Sequence, residues 1–320
     1  MATDWRLGLG YSLVTAIMWG GLPISLKVVL GEMDNITVTW YRFSLSALIA
    51  LLWFGPNSAG AIRRLLSKPL WPLTAIAVSG LLLNYIFYVS GLDRTTAEAA
   101  QILIQVAPLL LLVGSVFLFK EAFSPLQWLG VIAFSGGLLL FFHHRLRAMT
   151  QLEDGYLLGL VLLLLAAITW TFYGLAQKQL LKHVRANELL LLIYMAGAVC
   201  FFPAASPMQV RELDGIGLTM LVFAGLNTIV AYGCFGMAMT HWESSRVSAV
   251  IAIAPLITLL FVFITNVLFP GFIETEPLDW LNWLGAVLVV AGSTLAALGN
   301  RVQGKTPLAD ETQLNPGAKG

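Results

Sequence analysis

The sequence predicts an all-α integral membrane protein with ten transmembrane helices arranged as two inverted five-helix repeats. Three observations carry that expectation. The 320 residues are 58% hydrophobic and 11% charged, with a mean hydropathy of +0.82, whereas a soluble domain carries about 25% charge. The apolar residues fall in blocks of 17 to 26, and about 20 residues of helix cross a hydrocarbon core about 30 Å thick. Pairs of residues also recur at a near-constant spacing from one half of the chain to the other.

A short polar start, Met1 to Arg6, leads into the first block, 7–30, which is too long for a signal-peptide core and lacks a small-residue cleavage site, so it is expected to stay attached. The second span, 36–54, precedes a break carrying Arg63, Arg64 and Lys68, and the third, 70–92, stops at Arg94. Spans four, 97–119, and five, 126–142, are divided by Lys120, and Arg145 and Arg147 close the first half. Span six, 156–181, ends at Lys182 and Arg185, seven covers 187–203, and Arg211 precedes eight, 216–240. Spans nine, 246–269, and ten, 279–299, complete the set. Runs such as Gly159–Thr169 are apolar on every face, which excludes the alternating pattern of a membrane β-barrel. The stretch 302–320, rich in Pro, Gly, Gln and charge, is expected to be a disordered cytoplasmic tail.

With the first residue inside, eleven Lys and Arg fall on one side of the membrane and four (Arg94, Arg145, Arg147 and Arg211) on the other. Positive residues are retained in the cytoplasm. Both termini are therefore expected inside a multi-pass protein of the inner or plasma membrane.

Trp19 and Lys27 recur as Trp170 and Lys178, with Gly8 as Gly159, at an offset of 151. Ala107-Pro108 recurs as Ala254-Pro255 at 147, and Trp128-Leu129-Gly130 with Gly137 as Trp283-Leu284-Gly285 with Gly292 at 155. The growth in offset fits an insertion around Pro270 to Pro277. The first unit is expected over 1–145 and the second over 146–301. An odd number of spans per unit turns the second copy upside down, the arrangement from which alternating-access carriers are built. This points to transport of a small molecule rather than to an enzyme or scaffold.

The stretch Gly91-Leu-Asp-Arg-Thr-Thr-Ala-Glu-Ala-Ala-Gln-Ile-Leu-Ile-Gln-Val-Ala-Pro108, followed by Phe117-Leu-Phe-Lys-Glu121 and glycines 130, 136 and 137, resembles the EamA family of the drug/metabolite transporter superfamily. Leu268 stands where the second copy would match Glu121. The resemblance covers about residues 7–299 and implies a ten-helix carrier, often an exporter of amino acids or related metabolites, with a central cavity. A sugar-phosphate or nucleotide-sugar exchanger, a multidrug exporter and a non-transporting membrane subunit stay open, as does homo-oligomerisation.

Few residues carry obvious chemistry. Polar or amphipathic side chains well inside the spans need partners in hydrocarbon. Trp19, Asn84, Tyr85, Tyr88, Gln101, Gln105, Trp170, Tyr173, Asn227 and Tyr232 are expected either to bond between helices or to line one cavity. Pro108 and Pro255 each free a carbonyl in mid-helix and are expected to act as hinges or cavity walls. Arg42 and Lys27 are cations inside the first unit. Lys27 is expected to snorkel to the headgroups, and Arg42 either to satisfy backbone carbonyls or to attract the carboxylate of a substrate.

Acidic residues avoid mid-depth. The deepest, Glu98, opens span four, where it suits the helix dipole. His143, His144, His183 and His241 read as surface residues, and Cys200 and Cys234 as small core residues without metal-ligand spacing. The glycine pairs Gly20-Gly21 and Gly136-Gly137 read as packing positions, not phosphate loops. No cofactor, metal or nucleic-acid partner is implied; the expected partners are the bilayer and a small-molecule substrate.

Overall fold

The computed structural model describes residues 5–119, 124–144, 154–242, 244–273, 275 and 278–298. Arg145, Arg147, Glu121 and the tail 302–320 lie outside them. Among the described residues the main elements are twelve α-helices: α1 Trp5–Leu30, α2 Asn35–Leu65, α3 Trp71–Asp93, α4 Ala97–Leu103, α5 Val106–Phe119, α6 Pro125–Phe141, α7 Asp154–Leu180, α8 Ala186–Phe201, α9 Gly215–His241, α10 Ser244–Ile251, α11 Ala254–Leu268 and α12 Trp280–Leu298. Eight helical stretches are long and apolar enough to cross a membrane, and two more, Ala97–Leu111 and Pro125–Phe141, are shorter and apolar.

Side-chain caps set several starts. Asp34 accepts from the amides of Ile36 and Thr37 to begin α2, Thr96 from Ala99 to begin α4, and Asp214 from Gly217 to begin α9. The helices depart from the sequence expectation in two respects. Helix α2 continues past residue 54 to Leu65 with Pro56 inside it, and its membrane-length apolar part is Asn35–Pro56. Spans four and nine are each broken in two. At Ile104–Gln105 and Ala252–Ile253 the chain leaves α-geometry just ahead of the two prolines, whose missing N–H cannot continue the ladder.

The helices α1–α6 are matched in order by α7–α12, and the packing respects that match. Gly130 on α6 lies against Gly292 on α12, and Gly137 against Gly285, so seven residues forward on one helix are seven back on the other. These two equivalent helices therefore run antiparallel. A Cβ on Gly130 would sit 2.5 Å from the Ala296 nitrogen, and one on Gly285 2.5 Å from that of Phe141, so only glycine permits this approach. At either end of the pair the same bond recurs: the Gln127 amide donates to the Ala296 carbonyl at 3.4 Å, and Asn282 to the Phe141 carbonyl at 2.5 Å.

Helix α1 packs on α9 as α7 packs on α3. At one junction Asn84 of α3 donates to the Ala166 carbonyl of α7 at 2.9 Å; at the equivalent one Thr15 of α1 donates to the Ala231 carbonyl of α9 at 3.3 Å. The donor has changed sides while the link is kept. Equivalent helices that run antiparallel are what a twofold axis across the bundle produces, so the second set is an inverted copy of the first.

Candidate substrate site

Arg42, the eighth residue of α2, is directed into the bundle and is 3% exposed. Its Nε donates to the Thr228 hydroxyl of α9 at 3.3 Å, and its guanidinium carbon stands 4.5 Å from the centre of the Tyr85 ring on α3. The acceptor is itself oriented, since the Thr228 hydroxyl donates to the Ala224 carbonyl at 3.2 Å and the Tyr194 hydroxyl of α8 donates to the Thr228 carbonyl at 3.2 Å. Phe43 holds the Tyr85 ring at 4.6 Å between centroids.

A charged residue deep in a helical membrane protein costs at least about 2.5 kcal/mol. A desolvated cation–π contact returns about 2 kcal/mol, and a hydrogen bond to a charged group about 1.5–3 kcal/mol. Arg42 is therefore tolerable without a carboxylate, and among the described residues no carboxylate pairs with it. Of the five N–H groups a guanidinium carries, only Nε finds a protein acceptor among the described residues. Four donors are left for something else.

Of the aromatic residues expected from the sequence, Tyr85 meets this cation directly, and several others are linked to one another by ring contacts. Arg42 is close enough to the hydroxyls of Tyr88, Tyr194 and Tyr232 to act on each electrostatically. Tyr232 meets Trp19 edge-on at 5.5 Å and has Trp170 beside its hydroxyl, and Trp170 stands 6.3 Å from Tyr173. Gln177 lies near the buried Tyr173 hydroxyl but without hydrogen-bond geometry. Trp19 and Trp170 are equivalent positions, as are Tyr85 and Tyr232, so the cluster straddles the axis relating the two sets of helices. Arg42 is not duplicated, for α8 contains no basic residue.

The remaining positions divide. Tyr88 donates to the Gln101 side-chain oxygen over a long 3.5 Å, which ties α4 to the cluster, and Gln105 donates to the Ala252 carbonyl at 3.3 Å where the two helix breaks meet. Half-buried Pro108 and buried Pro255 each lie just beyond their break, in α5 and α11. Asn227 instead donates to the Met18 carbonyl within the α1–α9 contact, and Asn84 is engaged with α7; these two hold helices together. Lys27 donates to the Asp93 carbonyl at 3.4 Å, at the end of α3, where a cation suits the helix dipole. Glu98 lies in the first turn of α4 and is buried.

Sequence reasoning missed Thr228 and Tyr194. A threonine and a tyrosine in apolar spans are common, and their signal was only their depth, which matches that of the residues it did select.

An all-helical, membrane-length bundle of two inverted sets, with an enclosed cation at their junction, defines a polytopic membrane protein of the carrier type. Comparison with known proteins makes this specific. The EamA-like transporter family model matches the chain twice, over residues 6–143 and 157–298, and the protein belongs to that family: it is a multi-pass membrane transporter, not an enzyme. It is 37% identical over 304 residues to the uncharacterized inner membrane transporter YhbE of Escherichia coli (strain K12), covering 93% of each chain. Identity is 35% to an uncharacterized transporter of Haemophilus influenzae, over 92% of this chain and 96% of that one. It is 24% to a "probable amino-acid metabolite efflux pump" of Escherichia coli (strain K12), over 91% and 94%. A solved crystal structure shares the fold with a TM-score of 0.63 at 18% identity, over 92% of this chain and 98% of that one.

Proposed function

We propose that the protein exports an amino acid or a similar zwitterionic metabolite across the inner membrane by alternating access, with Arg42 receiving the carboxylate. The observation that carries the reading is the buried Arg42 guanidinium with one N–H engaged and four unspent. Such a fork matches a carboxylate bidentately. Aromatic faces at Trp19, Tyr232 and Trp170 are suited to an ammonium group. The efflux-pump name borne by one relative supports this cargo and direction.

In this reading α4–α5 and α10–α11 each form one broken span, which makes ten in two units, 1–145 and 146–301, with both termini cytoplasmic. The units rock about the axis where Gln105 meets Ala252, and the helix breaks before Pro108 and Pro255 absorb the bend. The test is flux of labelled amino acids from proteoliposomes containing only this protein. Saturable amino-acid efflux without an obligatory exchange partner is expected. Absence of flux for every solute tried, or strict one-for-one exchange of phosphorylated sugars, contradicts the proposal.

A further inference from the structure

A second constellation lies outside the Arg42 site, where the end of α6 approaches the start of α12. The Nε2 atoms of His143 and His144 stand 3.3 and 3.1 Å from the Asp279 Oδ2, and one ligand atom from each of the three residues lies within 4.8 Å of the others. The backbone carbonyl of Leu140, 2.8 Å from His143 Nδ1, can only accept, so Nδ1 donates to it and Nε2 is the nitrogen turned to Asp279. Asp279 Oδ1 is occupied by the amides of Leu281 and Asn282 at 2.9 and 3.0 Å, which fixes the carboxylate with Oδ2 toward the imidazoles.

The two imidazoles lie with centroids 3.9 Å apart and bring both Nε2 atoms to the same carboxylate oxygen. A single divalent ion can take all three atoms as ligands. Ligands about 2.0–2.1 Å from a tetrahedral ion are separated from one another by about 3.3 Å, which is the nitrogen–oxygen spacing present here.

We propose that His143, His144 and Asp279 bind a divalent transition-metal ion of the zinc type, with a fourth position open to water, clasping α6 to α12 at this end of the bundle. Imidazole nitrogen selects such ions over calcium or magnesium, and the Leu140 carbonyl supplies the outer hydrogen bond that orients a ligating histidine. The fold does not demand the site. At the opposite end of the same helix pair the equivalent positions are Leu298, Gly299 and Ser124, none of them a metal ligand of this kind. The ligands come from positions 135 residues apart, so no sequence spacing announces them. The site is independent of the cargo at Arg42.

The test is titration of Zn2+ into full-length protein, purified without a polyhistidine tag, stripped with chelator and held in lipid nanodiscs, with binding followed calorimetrically and coordination by X-ray absorption. One saturable ion per chain with two histidine nitrogens is expected, together with a rise in the unfolding temperature. His143→Ala and His144→Ala should each weaken binding by more than the roughly 10–100-fold that loss of an outer partner costs. Asp279→Asn retains the helix cap and should lose the ion while staying folded, whereas His183→Ala and His241→Ala should bind as the parent does. No saturable binding, coordination lacking histidine nitrogen, or affinity unchanged in the His143→Ala/His144→Ala double variant overturns the proposal.

Discussion

The Gln105 side chain donates to the backbone carbonyl of Ala252, the residue at its own equivalent position in the inverted copy. The bond lies at the axis, and it is possible because Pro255 breaks the helix beyond. Leu256 donates to Ile253 rather than one residue further back, which releases the Ala252 oxygen from the ladder. Replacing Gln105 with Leu removes the donor and strands that carbonyl. A loss of about 1 kcal/mol is expected, the scale of interhelical hydrogen bonds in membranes, read as a lower unfolding temperature in detergent. Because the bond joins the parts that move in the proposed transport cycle, flux in proteoliposomes should fall as well.

The contact between α6 and α12 makes a sharper stability prediction. Gly137→Ala places a methyl 2.6 Å from the Val289 nitrogen, on backbone that has no room to give. Overpacking costs about 1–3 kcal/mol or more, so folded yield and melting temperature should both drop. Gly136, its neighbour in sequence, has open space at the same distance. Gly136→Ala should be neutral or raise stability by up to about 1 kcal/mol through helix propensity, and size-exclusion profiles with thermal melts of the two variants check the contrast.

Much of the bundle is legible from sequence because lipid allows few solutions: an apolar run must be a helix, and Trp19 with Trp170 or Gly130 with Gly285 expose the repeat directly. The Ala-Pro pairs mark where the chain is weakened, but not that it breaks three residues earlier at Ile104–Gln105 and two residues earlier at Ala252–Ile253, since that depends on a partner such as Gln105 for the released carbonyl. For the site, the aromatic residues and Arg42 are visible as polar groups at depth. Their arrangement is not, because Thr228 reaches Arg42, and Tyr194 reaches Thr228, from helices far along the chain, and because Asn227 and Asn84 have the same composition signal but spend it on helix packing.

The cation–π contact can be separated from the tyrosine hydroxyl. Tyr85→Phe keeps the ring 4.5 Å from the Arg42 guanidinium and should retain parental stability. Tyr85→Leu loses the face of the ring and should cost about 2 kcal/mol, measured by thermal unfolding of the purified protein. Equal effects of the two substitutions would assign the role to the hydroxyl instead.

Orientation can be read by labelling in a background lacking Cys200 and Cys234. An impermeant maleimide should reach Glu212→Cys in intact spheroplasts, and Pro69→Cys only after lysis, since residue 69 shares its side of the membrane with Arg63, Arg64 and Lys68. The reverse pattern would place both termini outside.

The most direct test of the central claim compares Arg42→Gln with the parent in proteoliposomes, using a transported amino acid and its uncharged amide analogue. If the guanidinium receives the carboxylate, the variant should raise the KM for the amino acid at least tenfold, the equivalent of about 1.4 kcal/mol, while the amide analogue changes little. Equal losses for both cargoes, or an unchanged KM for the amino acid in folded protein, would show that Arg42 only holds α2 against α3 and α9.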